Sequence, residues 1–341
     1  MEFRDLKTQY KNLKAEIDER VLSVMERAQF ISGPEVKELE QKLAEYVGVK
    51  HCITCANGTD ALELVLLAWG IGKGDAVFVP TFSFMSTAEV VASVGAFPLF
   101  VDIDPDTFNI DPKKLEQAII QAQNEGKYNL RAIIPVDLFG MPADYEAIVA
   151  IAKRYGLKVL EDGAQGFGGA INGKRACSFG DAATTSFFPA KPLGCYGDGG
   201  AMFTDDDELA LLLRSLTVHG KGTEKYDNVR IGRNSRLDTL QAAILITKLK
   251  AFDEYELVAV NRVAAEYTKR LKGIVKTPAV PEGYLSSWAQ YTILLENEEQ
   301  RNGLQAKLKE KGIPSMIYYP RPLHLQTAFA FCGMGPGTLP V

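Results

Sequence analysis

The spacing of apolar and polar positions divides most of the chain into alternating strands and helices. Leu6, Leu13, Ile17, Val21 and Met25, with charged residues between them, predict a helix over 5–29. Ser32-Gly33-Pro34 marks a turn, and Pro34 suits the start of a second helix through Val36, Leu39, Leu43 and Tyr46. Short apolar runs then recur at 51–55, 76–80, 98–103, 132–136 and 158–162. Helical patterns lie between them, at 61–67, through Val90 and Val91, near 111–124 and near 142–155. Repeated β–α units with continuous apolar strands predict a mostly parallel sheet covered on both faces. Such sheets bind ligands outside the carboxyl ends of their strands.

A further helix is expected over 206–215, followed by a polar, Gly-rich loop at 219–235. A long helix begins near Leu237 and carries Ala242, Ala243, Leu245 and Leu249. The alternation changes character after it. Residues 288–295 and 315–319 read as strands and 298–311 as a helix. The expected organisation is a large α/β domain over 1–249, with its N-terminal helix, and a small α+β domain over 250–341. The last strand-like element has no helix after it, so the small domain is expected to be truncated at its C-terminus.

Composition narrows the class. The chain has 341 residues, 46% hydrophobic and 24% charged, as a soluble globular protein with a sizeable core requires. A net charge of -5 without a basic block argues against nucleic-acid binding. No apolar run approaches a membrane span, and the N-terminus lacks a signal-peptide core, so a cytoplasmic location is expected. The five cysteines are dispersed, which suits a reducing compartment and packing thiols, including the Cys52/Cys55 pair. The three histidines show no metal-ligand spacing.

Four stretches carry chemistry. In Ser186-Phe187-Phe188-Pro189-Ala190-Lys191 a single lysine stands in an apolar run. Desolvation there would lower its pKa and make the amine a usable nucleophile; the plain alternative is a stem packed on apolar neighbours with its head in water. Asp162 closes an apolar strand, where a carboxylate needs a cation or hydrogen bonds. Asn57-Gly58-Thr59-Asp60 opens a helix after a strand, which makes either a phosphate seat or an ordinary N-cap. Phe84 follows another strand and offers a flat apolar ring, or simply a core aromatic. Pyridoxal phosphate requires this combination: an amine for its aldehyde, an aspartate for its ring nitrogen, N–H donors for its phosphate and a ring cover.

Asn57-Gly58-Thr59-Asp60-Ala61-Leu62, Glu161-Asp162-Gly163-Ala164-Gln165, the Lys191 stretch and Gly197-Asp198-Gly199-Gly200 together resemble the DegT/DnrJ/StrS family. Its members are fold-type-I, pyridoxal-phosphate-dependent aminotransferases acting on nucleotide-linked keto sugars. The resemblance runs from Leu6 to the end of the chain. It includes Asn234-Ser235-Arg236-Leu237 and Tyr318-Tyr319-Pro320 with Pro322-Leu323-His324.

The resemblance implies a sheet of the seven-stranded type and a role for each matching residue. Lys191 would bond the cofactor aldehyde and carry a proton between substrate and cofactor. Asp162 would keep the ring nitrogen protonated, Gln165 would bond near the ring oxygen, and Phe84 would stack on the ring. Gly58, Thr59 and Ser186 would bind phosphate. Asn234 would reach the phosphate in the partner subunit of a homodimer with shared sites, unless it is a loop cap. His219, Arg236, Tyr319 and His324 would meet the substrate; a surface ion pair for Arg236 and a structural role for His324 are the ordinary alternatives. L-glutamate would donate the amino group to a UDP- or dTDP-linked keto sugar. Residues 288–292 and 318–324 are most similar to enzymes that aminate UDP-linked 3-keto sugars of the N-acetylglucosaminuronate type.

One position departs from the pattern: Asp137 stands where family members often carry histidine. Two other readings compete. A branch of the family performs dehydration with histidine in place of the lysine, which Lys191 argues against. A catalytically idle regulator that binds cofactor or nucleotide would not need the Lys191/Asp162 pair. A nicotinamide dehydrogenase is disfavoured because no G-x-G-x-x-G follows the first strand.

Overall fold

The computed structural model describes residues 2–224 and 226–341. The five apolar runs of the first half form strands β1 (His51–Cys55), β2 (Asp75–Pro80), β3 (Phe97–Val101), β4 (Asn129–Ile133) and β5 (Lys158–Asp162). The short β6 (Ala170–Ile171) and β7 (Lys174–Arg175), then β8 (Ala182–Ser186), β9 (Gly200–Thr204) and β10 (Tyr284–Leu285), are not predicted from the pattern. The helices are α1 (Leu6–Arg27), α2 (Pro34–Val47), α3 (Gly58–Ala68), α4 (Ser86–Ser93), α5 (Pro112–Glu125), α6 (Tyr145–Tyr155), α7 (Asp207–Leu216), α8 (Thr239–Ala251), α9 (Leu257–Leu271) and α10 (Glu298–Glu310).

The main sheet has seven strands in the order β1-β9-β8-β5-β4-β2-β3. Only β9 runs antiparallel to its neighbours. Adjacent residues in a strand face opposite sides, and the core divides accordingly. Val77 and Val79 pack with α3, α4 and α7, whereas Phe78 packs with α5 and α6. At the other end of the sheet Cys52, Ala183 and Phe203 pack with α2 and α8. Both faces are therefore sealed, which explains the lack of alternation in the strand sequences.

Several helix starts are fixed by local chemistry. Asn57 accepts the Asp60 amide at the start of α3, and Asp206 accepts the Glu208 and Leu209 amides at the start of α7. Pro34 and Pro112 occupy first-turn positions, where no amide bond is lost. The helix expected from Leu237 continues through a π-helical turn at Phe252–Glu256 into α9. Among the described residues no helix is long and apolar enough to cross a membrane.

Two predicted strands are not strands. Residues 288–295 have only an isolated bridge between Lys276 and Leu294, and 315–319 have no ladder. Trp288 has φ 51°, and the Ser287 and Gln290 amides donate to Gly140 and Phe139 carbonyls. The segment thus spends its hydrogen bonds on the β4–α6 loop instead of on a neighbouring strand. Its apolar residues stack on one another, as Trp288 does on Tyr291 at 5.3 Å.

Candidate active site

The parallel topology brings the carboxyl ends of β1, β2, β5 and β8 to one edge of the sheet. Gly200 pairs with Cys55 of β1 and with Ser186 of β8 in the same row. The turn into α3 consequently sits against Ser186. A Cβ on Gly58 would lie 2.7 Å from the Ser186 Cβ, so glycine is required for this approach. The first N–H groups of α3 have no partner within the helix and face this turn. The Ser235 hydroxyl accepts the Ala56 amide at 3.0 Å and fixes the turn from the other side.

Hydroxyl groups connect this seat to Asp162. Thr59 and Ser86 share a hydrogen bond of 2.9 Å at the first turn of α4. The next residue, Thr87, is fully buried and donates to Asp162 Oδ2 at 2.8 Å. Ser83 pairs with Thr87 at 2.9 Å. The Ala164 amide donates to Asp162 Oδ1 at 3.2 Å. Burial raises the Asp162 carboxyl above its ordinary value, while Thr87, Lys191 and the Ala164 amide pull it down.

Burial lowers the Lys191 ammonium from its ordinary value, and Asp162 opposes that shift. The lysine is half-buried, and Asp162 is the charge that acts on it. Arg4, ahead of α1, donates to the carbonyls of Ala190 at 3.0 Å and Pro192 at 2.9 Å. It thus holds the residues on both sides of Lys191.

Gln165 is buried and already engaged: its side-chain oxygen accepts the Phe139 amide at 2.8 Å and its nitrogen donates to the Tyr319 hydroxyl at 3.2 Å. Burial pushes the Tyr319 hydroxyl up to about 12. The Tyr319 ring packs edge-on against Phe82 at 5.7 Å. Phe84 is 55% exposed, which leaves its ring free to cover a ligand.

The remaining residues fall into two groups. Asn234 and Arg236 share a 2.6 Å hydrogen bond in the loop before α8. His219 is exposed in the same loop region, and its amide donates to the Arg233 carbonyl at 2.8 Å. His324 stands apart: its ring is buried, its Nδ1 bonds Thr81, and burial lowers its pKa. Thr87, Ser83 and Arg4 have no motif that singles them out, whereas Ser235 lies in the Asn234–Leu237 motif without an assigned role there. The hydroxyl-rich run Thr81-Phe82-Ser83-Phe84-Met85-Ser86-Thr87 is the only local signal for the first two.

This donor set fits pyridoxal phosphate. The glycine cradle at Ser186 and the free amides of α3 suit a phosphate. A half-buried amine, a buried carboxylate and an uncovered aromatic ring supply the other requirements.

The comparisons with known proteins agree. The chain is 50% identical over 331 residues to the UDP-2-acetamido-2-deoxy-3-oxo-D-glucuronate aminotransferase of Pseudomonas aeruginosa, covering 97% of this chain and 89% of that protein. The solved structure of a DegT DnrJ EryC1 StrS aminotransferase from Brucella abortus superposes with a TM-score of 0.97 at 54% identity, covering 100% of this chain and 90% of that one. NtdA from Bacillus subtilis, solved with bound cofactor PMP, gives a TM-score of 0.84 at 33% identity, covering 95% and 74%. With the model of the DegT/DnrJ/EryC1/StrS aminotransferase family matching residues 11–340, the chain belongs to that family and is a pyridoxal-phosphate-dependent aminotransferase.

Proposed function

We propose that the protein transfers an amino group from L-glutamate to a UDP-linked 3-keto sugar in the making of amino sugars for surface polysaccharides. The observation that carries the reaction type is the buried Asp162 carboxylate, held by Thr87 at 2.8 Å at the end of β5, with Lys191 in the loop that follows the neighbouring β8. The 50% identity to the P. aeruginosa aminotransferase supports the sugar class.

When bound, pyridoxal phosphate supplies an electron sink that makes the substrate carbon–hydrogen bond acidic. The protein's residues do the rest. Lys191 anchors the cofactor and moves the proton at the substrate carbon, a task its lowered pKa suits. Asp162 holds a proton on the ring nitrogen by its charge, and Thr87 keeps that carboxylate oriented. Gly58, Thr59 and Ser186 seat the phosphate. Phe84 covers the ring, and Gln165 orders the neighbouring Tyr319. Arg236 binds an anionic part of the sugar nucleotide, and His219 and Tyr319 also meet the substrate. His324 acts from behind, through Thr81.

The working unit is a homodimer in the cytoplasm, with Asn234 reaching the partner's cofactor phosphate. Exposed Phe30, Ile31 and Phe188 offer apolar surface for a second copy. The large unit over 1–249 carries the cofactor, and 250–341 forms the smaller one. Incubation with pyridoxal phosphate, L-glutamate and a UDP-linked 3-keto-N-acetylglucosaminuronate tests the reading. Equimolar 2-oxoglutarate and amino sugar are expected; release of an unaminated, dehydrated sugar would overturn it.

A further inference from the structure

Asp137 and Glu161 are two carboxylates with 0% exposure, packed behind Asp162. The Glu161 oxygens accept the amides of Cys177 and Phe179, the latter at 2.8 Å. Asp137 Oδ1 accepts the Ala143 amide at 3.1 Å and the Tyr145 hydroxyl at 2.7 Å. Asp137 Oδ2 is buried and has no donor among the described residues. The Asp137 and Glu161 side chains lie within hydrogen-bonding reach of each other, and Oδ2 points to the glycine turn after Asp162, beside Cys177, whose amide Glu161 accepts.

Ionised carboxylates only accept, so two of them cannot bond unless one carries a proton. Two buried like charges in contact would also repel strongly. The local donors decide which residue keeps the proton. Burial raises the Glu161 carboxyl to about 7, and its two backbone amides pull it back toward the ionised form. Asp137 Oδ2 accepts none, so the proton belongs there. The other groups that act on the pair are Tyr145 and Cys177, both neutral through burial, Tyr284 on β10, which burial also raises, and Lys174 on β7, which acts on Glu161.

The pair touches the cofactor-facing turn. The Asp137 amide donates to the Asp162 carbonyl at 3.1 Å, and the Asp162 amide donates to Pro135 at 2.9 Å. A Cβ on Gly166 would lie 2.3 Å from the Asp137 side chain, so the turn after Asp162 wraps directly over this carboxyl group. We propose that Asp137 and Glu161 share one proton, held on Asp137 and donated to Glu161, and that the pair positions the turn from Asp162 to Gln165. The positioning half rests on the roles given above to Asp162 and Gln165; the proton sharing does not. The shared proton leaves two negative charges among the three carboxylates instead of three, which spares Asp162 further repulsion.

Infrared spectroscopy of the apoprotein tests the sharing. A protonated carboxyl carbonyl band is expected at neutral pH. Asp137→Asn should remove it, and Glu161→Gln should shift it by replacing the charged acceptor. No such band, or one unchanged in both variants, would overturn the sharing. Glu161→Gln and the wild-type spectrum serve if Asp137→Asn does not fold.

Unfolding as a function of pH gives a second measure. Native Asp137 keeps a proton that the unfolded chain releases above about pH 3.9, so the wild type loses stability as pH rises from there. Asp137→Asn lacks this loss. The ratio of the two unfolding constants should change about tenfold per pH unit in the variant's favour across the window. Parallel curves would overturn the sharing.

Cofactor titration followed by absorbance tests the positioning. The Asn amide can still donate to Glu161, so Asp137→Asn should bind pyridoxal phosphate within about twofold of wild type. Asp137→Ala should bind about tenfold more weakly. Equal loss in both variants would overturn the positioning. If Asp162→Asn binds and titrates the cofactor as wild type does, the role of Asp162 fails, and the infrared result stands alone.

Discussion

Thr87 donates a 2.8 Å hydrogen bond to Asp162 from a position 75 residues earlier in the chain. Both residues are buried, and the bond opposes the rise that burial imposes on the carboxyl group. A hydrogen bond to a charged group contributes about 1.5–3 kcal/mol. Thr87→Val, which keeps the shape, should therefore raise the Asp162 pKa further and weaken pyridoxal phosphate binding by about tenfold or more. Absorbance titration of the cofactor measures this directly. Unchanged affinity would show that Thr87 only packs.

Lys191 is the residue on which the proposed reaction depends. Lys191→Ala should abolish the visible band of lysine-bound cofactor and lower transamination by about 10²–10⁴-fold, the usual contribution of a positioned proton carrier. In the wild type L-glutamate should bleach that band. A variant with the band intact would refute the assignment.

Gly58 tests the phosphate seat without touching a charged group. In Gly58→Ala the new methyl meets Ser186 at 2.7 Å, and the α3 turn must shift. Weaker cofactor binding is expected with little loss of global stability, because α3 keeps its Asn57 cap. Comparing the cofactor titration with a urea melt separates the two effects.

Arg4 offers a test of the Lys191 loop. Its bonds to Ala190 and Pro192 are lost in Arg4→Ala, which should cost about 1–2 kcal/mol in a urea melt. Turnover should fall more than cofactor affinity, since the loop that carries Lys191 loosens. Wild-type turnover would limit Arg4 to a structural role.

Lys248 gives a pH signature away from the chemistry. It is 1% exposed, its ammonium lies 4.9 Å from the Tyr196 ring centroid, and burial with nearby Arg4 lowers its pKa to about 8. The unfolded lysine, with an ordinary value of about 10.4, holds its proton over a range where the folded one has lost it. Stability should thus rise with pH between about 8 and 10.4 on this account. Lys248→Met should remove that slope and be more stable at pH 7, as unfolding curves across this range will show.

Much of the fold was legible in the sequence because both faces of the main sheet are buried. Runs such as Ala76-Val77-Phe78-Val79 leave no doubt that a strand is sealed on two sides, and the helices between them carry clear apolar stripes. The Gly58-Thr59 turn, Asp162 and Lys191 were also legible, since each places an unusual residue type at the end of an apolar run. The same rule misled at 288–295. Its apolar residues pack on one another and on the β4–α6 loop, and periodicity does not reveal which partner receives the backbone hydrogen bonds.

The sequence by itself determined the family, the alternation of the first five strands with their helices, and which residue types stand at the strand ends. Only the tertiary structure decided their partners. Thr87 finds Asp162, Arg4 finds the flanks of Lys191, and Asp137 finds Glu161. The physical reason is that local pattern records which face of an element is buried, whereas hydrogen bonds between distant residues depend on which strand ends the sheet order places side by side.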